Sequence, residues 1–403
     1  MNVLLMALMY PEDQMEEVAR NAKDKLQNQI NSYQRAFVQG LRENLQDGEK
    51  LDVLNCLPVG VWPIQYRQLF LKSGMHDDGA VRQLGCLNLP WFKQQMRLRG
   101  AVRALEQWIA QSPDNRTVLL YTQYLPYMEA VARVKKKHPD LKSAVIVTDL
   151  PNDLGLPSGR TGLMKKIEYR RGDKSVALCR QMDGFVLLTE PMAEALGVAD
   201  HPRVVIEGLI LDHKPTVSQS VAEEEPPVVL YTGTLERGLG IGEMLEAFEK
   251  MPQVQLWICG QGGMKADVEA AAQRCSNIRY FGFVPQKEAL ALQARATALI
   301  NPRQPSGVFT RYSFPSKTLE YMRSGKPVLC CRLEGIPADY EPYLCWMETG
   351  TEGIRNAVQQ LMSLSMLERM EMGQRSQAYV QQNKNPKLQC AKLSALLRSL
   401  HTA

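Results

Sequence analysis

The nine cysteines of this chain form no C-x-x-C pair and no metal-ligand spacing, which argues against a structural zinc site or a redox pair. Several lie inside apolar runs, where a free thiol behaves as a small hydrophobe, and the scattered, odd-numbered set fits a reducing compartment. No apolar run approaches the ~18 residues of a membrane span. The apolar stretch at residues 1–9 lacks a basic segment before it and reads as a buried strand, not a targeting signal. No arginine-rich tract and no basic stripe interleaved with aromatics is present, so nucleic acid is not an expected partner. No G-x-G-x-x-G follows a strand, which argues against a dinucleotide site.

What is present is ordinary in bulk and informative in order. Hydrophobic residues make up 45% and charged residues 23% of 403, with a net charge of +5. That length predicts two domains. Apolar runs at residues 3–9, 51–59, 118–121, 143–148, 183–189 and 204–210 alternate with helical patterns, the signature of parallel βαβ units. The polar, acidic and Pro-rich stretch 213–227 reads as a linker. A second series of strands begins at Val228. The expected domains are residues 1–212 and 228–385, with a final helix at 386–403 returning to the first.

The most informative stretch is Arg-Tyr-Ser-Phe-Pro-Ser-Lys-Thr-Leu-Glu-Tyr-Met-Arg-Ser-Gly-Lys-Pro-Val, residues 311–328. Phe314 and Pro315 punctuate a loop, and Ser316 fits an N-cap or first-turn position. Leu319, Tyr321 and Met322 start a helical pattern that Gly325 ends before a strand. Free N–H groups and the positive end of a helix dipole suit an anionic phosphate. Ser316 and Lys317 add a hydroxyl and an ammonium there, and Glu320 one turn inward could accept hydrogen bonds from ribose hydroxyls. A plain helix cap with a solvated Lys and a surface Glu is the other reading.

This stretch resembles the donor-site signature of family 4 glycosyltransferases of the GT-B fold, in the version seen in bacterial surface-polysaccharide and lipid-linked glycan assembly. The resemblance implies an α/β architecture of two Rossmann-like, doubly wound parallel-sheet domains facing a cleft. In that family a Glu-x7-Glu motif holds the nucleotide sugar, and the second Glu falls on Glu320. The first falls on Tyr312, a departure. Donor contacts are thereby implied for Phe314, Pro315, Ser316, Thr318 and Glu320, and a phosphate contact for Lys317.

Three further stretches carry the resemblance. Val228 to Ile241 reads as a strand entering a Gly-rich loop, and it resembles the family's Gly-Arg-Leu-x-x-x-Lys-Gly loop in shortened form. There Gly233 keeps its place, while Thr234 and Leu239 stand where the family has Arg and Lys. Arg237 is the nearby cation and the candidate for the diphosphate. The turn at Gly260 resembles a second glycine turn of the donor site. Phe283 and Val284 follow the family's Phe-x-Gly, where backbone groups meet the nucleobase. In the first domain, strand ends at Thr122-Gln123-Tyr124 and Thr148-Asp149 are where ligands gather in parallel sheets. Asp149 matches the position that offers a polar residue to sugar or acceptor, or it is a turn residue before Pro151.

Two segments are basic. Residues 89–103 place Lys93, Arg97, Arg99 and Arg103 at helical spacing, either an interfacial helix or a helix with a solvated basic face. Lys165, Lys166, Arg170, Arg171 and Lys174 form a second cluster, after a glycine-containing stretch at 156–161 that reads as a mobile loop. The resemblance implies a retaining, metal-independent transfer without a cofactor, from a nucleotide sugar, UDP-linked in most of the group. The acceptor would be a saccharide, a lipid-linked glycan or a protein. It also implies a cytoplasmic enzyme that could rest on the inner membrane face. A GT-B epimerase or sugar-phosphate synthase, and a degenerate regulatory relative, are the alternatives.

Overall fold

The computed structural model describes residues 1–24, 26–112, 114–152, 162–210 and 226–402. The chain divides into two compact units, Met1–Leu211 with Pro386–Ala403, and Asp212–Asn385. The loop expected at 156–161 and most of the linker expected at 213–227 lie outside the described residues.

In the first unit the chain runs β1 (Asn2–Ala7), α1 (Met15–Asn21), α2 (Asn28–Glu43), β2 (Lys50–Asn55), β3 (Phe70–Leu71), β4 (Gly74–His76), β5 (Val81–Gln83) and β6 (Cys86–Leu87). It continues through α3 (Phe92–Gln111), β7 (Arg116–Tyr121), α4 (Leu125–Lys135), β8 (Lys142–Val147), α5 (Gly162–Cys179), β9 (Gly184–Leu187), α6 (Met192–Leu196) and β10 (Arg203–Val205). Eight strands form one sheet in the order β10-β9-β8-β7-β1-β2-β5-β4, and β3 pairs with β6 apart from it. Only the edge strand β4 runs antiparallel in the large sheet. β1 is buried at all six positions because helices cover both faces of a parallel sheet, so it shows no alternation.

The second unit runs β11 (Val228–Thr234), α7 (Ile241–Glu249), β12 (Gln255–Gln261), α8 (Lys265–Arg274), β13 (Ile278–Tyr280), α9 (Gln286–Arg295) and β14 (Ala298–Asn301). α10 (Ser316–Arg323), β15 (Val328–Cys331), β16 (Cys345–Met347), α11 (Gly350–Ser363) and α12 (Met366–Asn383) follow. Its six parallel strands lie in the order β13-β12-β11-β14-β15-β16. That is the doubly wound order, with the direction of travel reversing at β11.

The last helix, α13 (Pro386–Ser399), belongs to the first unit. Cys390, Leu393 and Leu397 enter the same core as Phe37 and Leu41 of α2 and Val3 and Leu5 of β1. The two helices approach so closely that a Cβ on Gly40 would stand 2.3 Å from the Pro386 carbonyl oxygen. Arg398 closes the contact with a fork onto Glu49, its Nη2 at 2.7 Å from Oε2 and its Nε at 3.0 Å from Oε1.

Arg398 lowers the Glu49 pKa to about 2. A carboxyl whose folded pKa lies below its unfolded value adds stability above the unfolded value and loses it as pH falls toward the folded one. Glu49→Gln should therefore lower unfolding free energy at neutral pH by about 2 kcal/mol, and the loss should vanish between pH ~4.5 and ~2. Urea titrations of both proteins across that range would check it.

Candidate functional site

At β11 the sheet of the second unit forks. β11 pairs with β12 out to Thr234 opposite Gln261, but with β14 only at Val229 and Leu230. The main-chain groups of Thr232 are left without a strand partner on the β14 side. Tyr321 of α10 supplies both bonds. Its hydroxyl accepts from the Thr232 N–H at 2.8 Å and donates to the Thr232 carbonyl at 2.9 Å. Burial pushes this phenol well above its ordinary pKa, so the donated proton stays in place. On the other lip, Asn301 at the end of β14 donates to the Thr318 hydroxyl at 3.0 Å.

These tethers decide which way α10 faces. Thr318, Leu319, Tyr321 and Met322 are buried, while Ser316 is exposed and Lys317 and Glu320 are half-buried. No side chain caps the helix, whose N-cap is Pro315. The first N–H groups are therefore free of side-chain acceptors, at the positive end of the dipole. Lys317 Nζ lies 2.7 Å from Glu320 Oε2, and Gln293 of α9 donates to Oε1 at 3.1 Å. A cation, a hydroxyl and a carboxylate thus stand on one turn at the carboxyl end of a forked parallel sheet, where such sheets bind ligands.

The adjacent backbone is drawn in tightly. Gly260 has φ +154°, and a Cβ there would fall 1.8 Å from the Gly233 carbonyl oxygen; one on Gly240, φ +77°, would fall 1.9 Å from that of Pro302. Thr234 is exposed at the end of β11. Arg237, exposed in the one-turn helix Arg237–Leu239, has no ion-pair partner among the described residues. Phe283 is 59% exposed and Val284 half-buried, both between β13 and α9.

Three of the residues expected to meet the donor are held inside the fold. Thr318 is fully buried and its hydroxyl is taken by Asn301, so its side chain serves the joint between helix and strand. Phe314 is buried with its ring centroid 5.5 Å from that of Tyr340, and Pro315 is buried as well. Their side chains shape the loop.

In the first unit Asp149 follows β8. It is exposed in part, but protein crowds its carboxyl, and that desolvation raises its pKa from the ordinary value. Beside it the hydroxyls of Thr148 and Thr122 meet at 3.1 Å. Thr122 has φ +58°, a left-handed conformation that is costly for a β-branched residue.

The basic segment 89–103 does not present all its charges to solvent. Lys93 and Arg97 of α3 are 5% and 4% exposed. Lys93 donates to the carbonyls of Val59 and Gly60. Arg97 donates to the Leu57 carbonyl at 2.5 Å and to the Tyr124 hydroxyl at 3.0 Å. The pair therefore caps the carbonyls that follow β2. Burial first, then the charge of Arg97, lowers the Lys93 pKa to about 8. On α5, Lys165, Lys166, Arg170, Arg171 and Lys174 are exposed, with Lys174 paired to Glu129 at 2.8 Å.

Sequence reasoning passed over Gln293, the structural use of Tyr321 and a buried arginine, Arg303, just beyond β14. Among the described residues no cluster of His, Cys, Asp and Glu could hold a metal ion, and no helix is long and apolar enough to cross a membrane.

The family described as "Glycosyl transferases group 1" matches residues 226–364. No curated protein matches the chain. Among solved structures, sucrose-phosphate synthase from Thermosynechococcus elongatus is similar at 15% identity and TM-score 0.64, over 100% of this chain and 99% of that one. An E. coli trehalose-6-phosphate structure with bound UDP-2-fluoro glucose gives 9% and 0.64, over 99% of both chains. The α,α-trehalose 6-phosphate synthase of Burkholderia multivorans gives 12% and 0.63, over 100% and 99%. The fold is thus that of the GT-B glycosyltransferases, built from Rossmann-like parallel-sheet units.

Tyr321→Phe should strand two buried main-chain groups and cost about 2–4 kcal/mol in urea unfolding. Lys93 makes a separate pH statement. Because its folded pKa lies below its unfolded value, stability should rise as pH climbs from ~8 to ~10.5, by at most about 3 kcal/mol. Lys93→Met should flatten that rise.

Proposed function

We propose that the protein is a glycosyltransferase that moves a sugar from a nucleoside-diphosphate donor, a UDP-sugar, to a hydroxyl of a saccharide acceptor, free, phosphorylated or lipid-linked. The observation that carries this reading is the uncapped N-terminus of α10 at the fork, bearing Ser316, Lys317 and Glu320 on one turn. Glu320 takes the ribose hydroxyls. Lys317, the Ser316 hydroxyl, the helix N–H groups and Arg237 take the diphosphate. Solved structures of the same fold support the choice of donor, since one of them holds UDP-2-fluoro glucose. A relative from Burkholderia xenovorans holds glucose-6-phosphate, which supports a phosphorylated sugar as one acceptor class.

The chemistry asked of the chain is stabilisation of a leaving group. The bond from the sugar C1 to the β-phosphate oxygen breaks, and the acceptor oxygen forms its bond to C1. The acceptor proton passes to the departing diphosphate on the same face, so configuration is retained and no protein base is required. Fixed cations and N–H dipoles that meet charge as it develops lower the barrier without reorganising. Asp149 orients the acceptor. Any meeting with an anionic surface at the inner membrane face would go through the exposed basic residues of α5.

A second reading, a degenerate relative that binds or regulates, is favoured by Tyr312, Thr234 and Leu239, which stand where the resembling family has charge. Thermal shift against UDP, GDP, ADP, TDP and CMP separates the two. A nucleotide at 100 times its dissociation constant should add about 2.7 kcal/mol of stability. The expected result is a shift with UDP in wild type that Glu320→Ala loses. No shift with any nucleotide would favour the second reading.

A further inference from the structure

Arg303 follows β14 and is 8% exposed. Its guanidinium makes one side-chain hydrogen bond among the described residues, from Nη2 to the Ser313 hydroxyl. Nε is enclosed without a partner, and Nη1 has none among the described residues. No carboxylate among the described residues pairs with it. The titratable neighbour is the Cys330 thiol, which burial pushes up to about 12, so it supplies no counter-charge at neutral pH. Burial lowers the Arg303 pKa only to about 10, so the guanidinium is charged. A buried, charged group with idle donors and no counter-ion is costly, and structures that keep one commonly have a use for it.

Its setting says which use. The main chain at Pro302–Arg303 lies directly against the N-terminus of α7, where a Cβ on Gly240 would fall 1.9 Å from the Pro302 oxygen and 3.4 Å from the Arg303 nitrogen. Ser313, its hydrogen-bond partner, stands three residues before α10 begins. The guanidinium lies 4.8 Å from the centroid of Phe309. The far edge of that ring is 4.0 Å from where a Cβ on Gly238 would stand, in the loop that carries Arg237. The arginine is therefore set among the starts of two helices and the Gly-rich loop, all of which favour negative charge. A planar fork with unspent donors matches a phosphate or carboxylate better than a point charge would.

We propose that Arg303 binds the diphosphate of the donor, supplying from the end of β14 a cation that the loop after β11 provides only through exposed Arg237. This rests on the nucleotide-sugar reading above. Inorganic pyrophosphate is the probe that tests it without the nucleoside. Calorimetric titration of the full chain should show pyrophosphate binding to wild type. Arg303→Met should weaken it by about tenfold or more, and Arg303→Lys should retain part of it. The preference for UDP over UMP should shrink by a similar factor in Arg303→Met, a change that loss of packing alone would not produce. Should Arg303→Met fail to fold, Ser313→Ala, which removes the hydrogen bond that orients the guanidinium, should weaken pyrophosphate several-fold. Pyrophosphate binding that is absent in wild type, or equal in wild type and variants, would overturn the assignment. If UDP still binds and still needs Glu320, the nucleotide-sugar reading survives that outcome; if neither ligand binds, both fail. A preference for UDP-glucuronate over UDP-glucose that disappears in Arg303→Met while pyrophosphate binding stays intact would also overturn it, since the guanidinium would then serve a sugar carboxylate.

Discussion

The hydroxyl of Tyr321 holds the site together. A doubly wound sheet must part where its strand order reverses, and the parting leaves strand groups unpaired in the interior. Here a helix side chain, not a strand, satisfies Thr232 from both sides of the same residue. The helix that lends the side chain cannot then rotate or slide without losing two buried bonds. Asn301 and Thr318 repeat the arrangement across the fork. Because a helix turns every 3.6 residues, anchoring Thr318, Tyr321 and Met322 inside aims Lys317 and Glu320 outward. The eight residues of α10 thus bury their anchors on one face and leave Lys317 and Glu320 on the other.

Apart from the ion pairs, three groups of cations are used differently. Lys93 and Arg97 are taken inside and spent on backbone carbonyls past β2, where they stiffen a turn. The lysines and arginines of α5 stay in solvent. Arg303 is taken inside and left largely unspent. All three read alike in the sequence, as positive charge. Their partners, and the dielectric around them, decide whether they act as mortar, as solvated surface or, on the assignment proposed above, as a ligand group.

The legible part of the protein was the part with strong local grammar. Apolar runs broken by helical spacing announced parallel units, and the Phe-Pro-Ser-Lys run announced a loop, a helix and a stop at Gly325, whose φ is +76°. Periodicity was less informative about direction. Lys93 and Arg97 share the i, i+4 spacing of any solvated stripe, and nothing in that spacing says that the stripe turns inward. Thr318 stood among polar neighbours at a helix start, yet the helix anchor needed its hydroxyl below. Arg303 was harder still, since Asn-Pro-Arg-Gln carries no pattern. Its significance comes from residues near it in space, Phe309, Ser313 and the start of α7, and from the absence of any paired acid among the described residues.

Lys317 and Glu320 form an ion pair on one turn of α10. Each side chain satisfies the other at 2.7 Å, and a donor bound as proposed would displace that contact. A ligand that offers an anion alone takes Lys317 and leaves Glu320 without its cation. One that offers hydroxyls alone takes Glu320 and leaves the ammonium behind. Only a molecule carrying both, at the separation of one helical turn, replaces the whole interaction. At such half-exposed positions the penalty for a partial match is modest, up to about 1 kcal/mol, but it falls on every fragment and not on the intact ligand. If Lys317 and Glu320 meet the donor as proposed, the helix turn acts as a coincidence detector, ranking whole molecules above the sum of their parts.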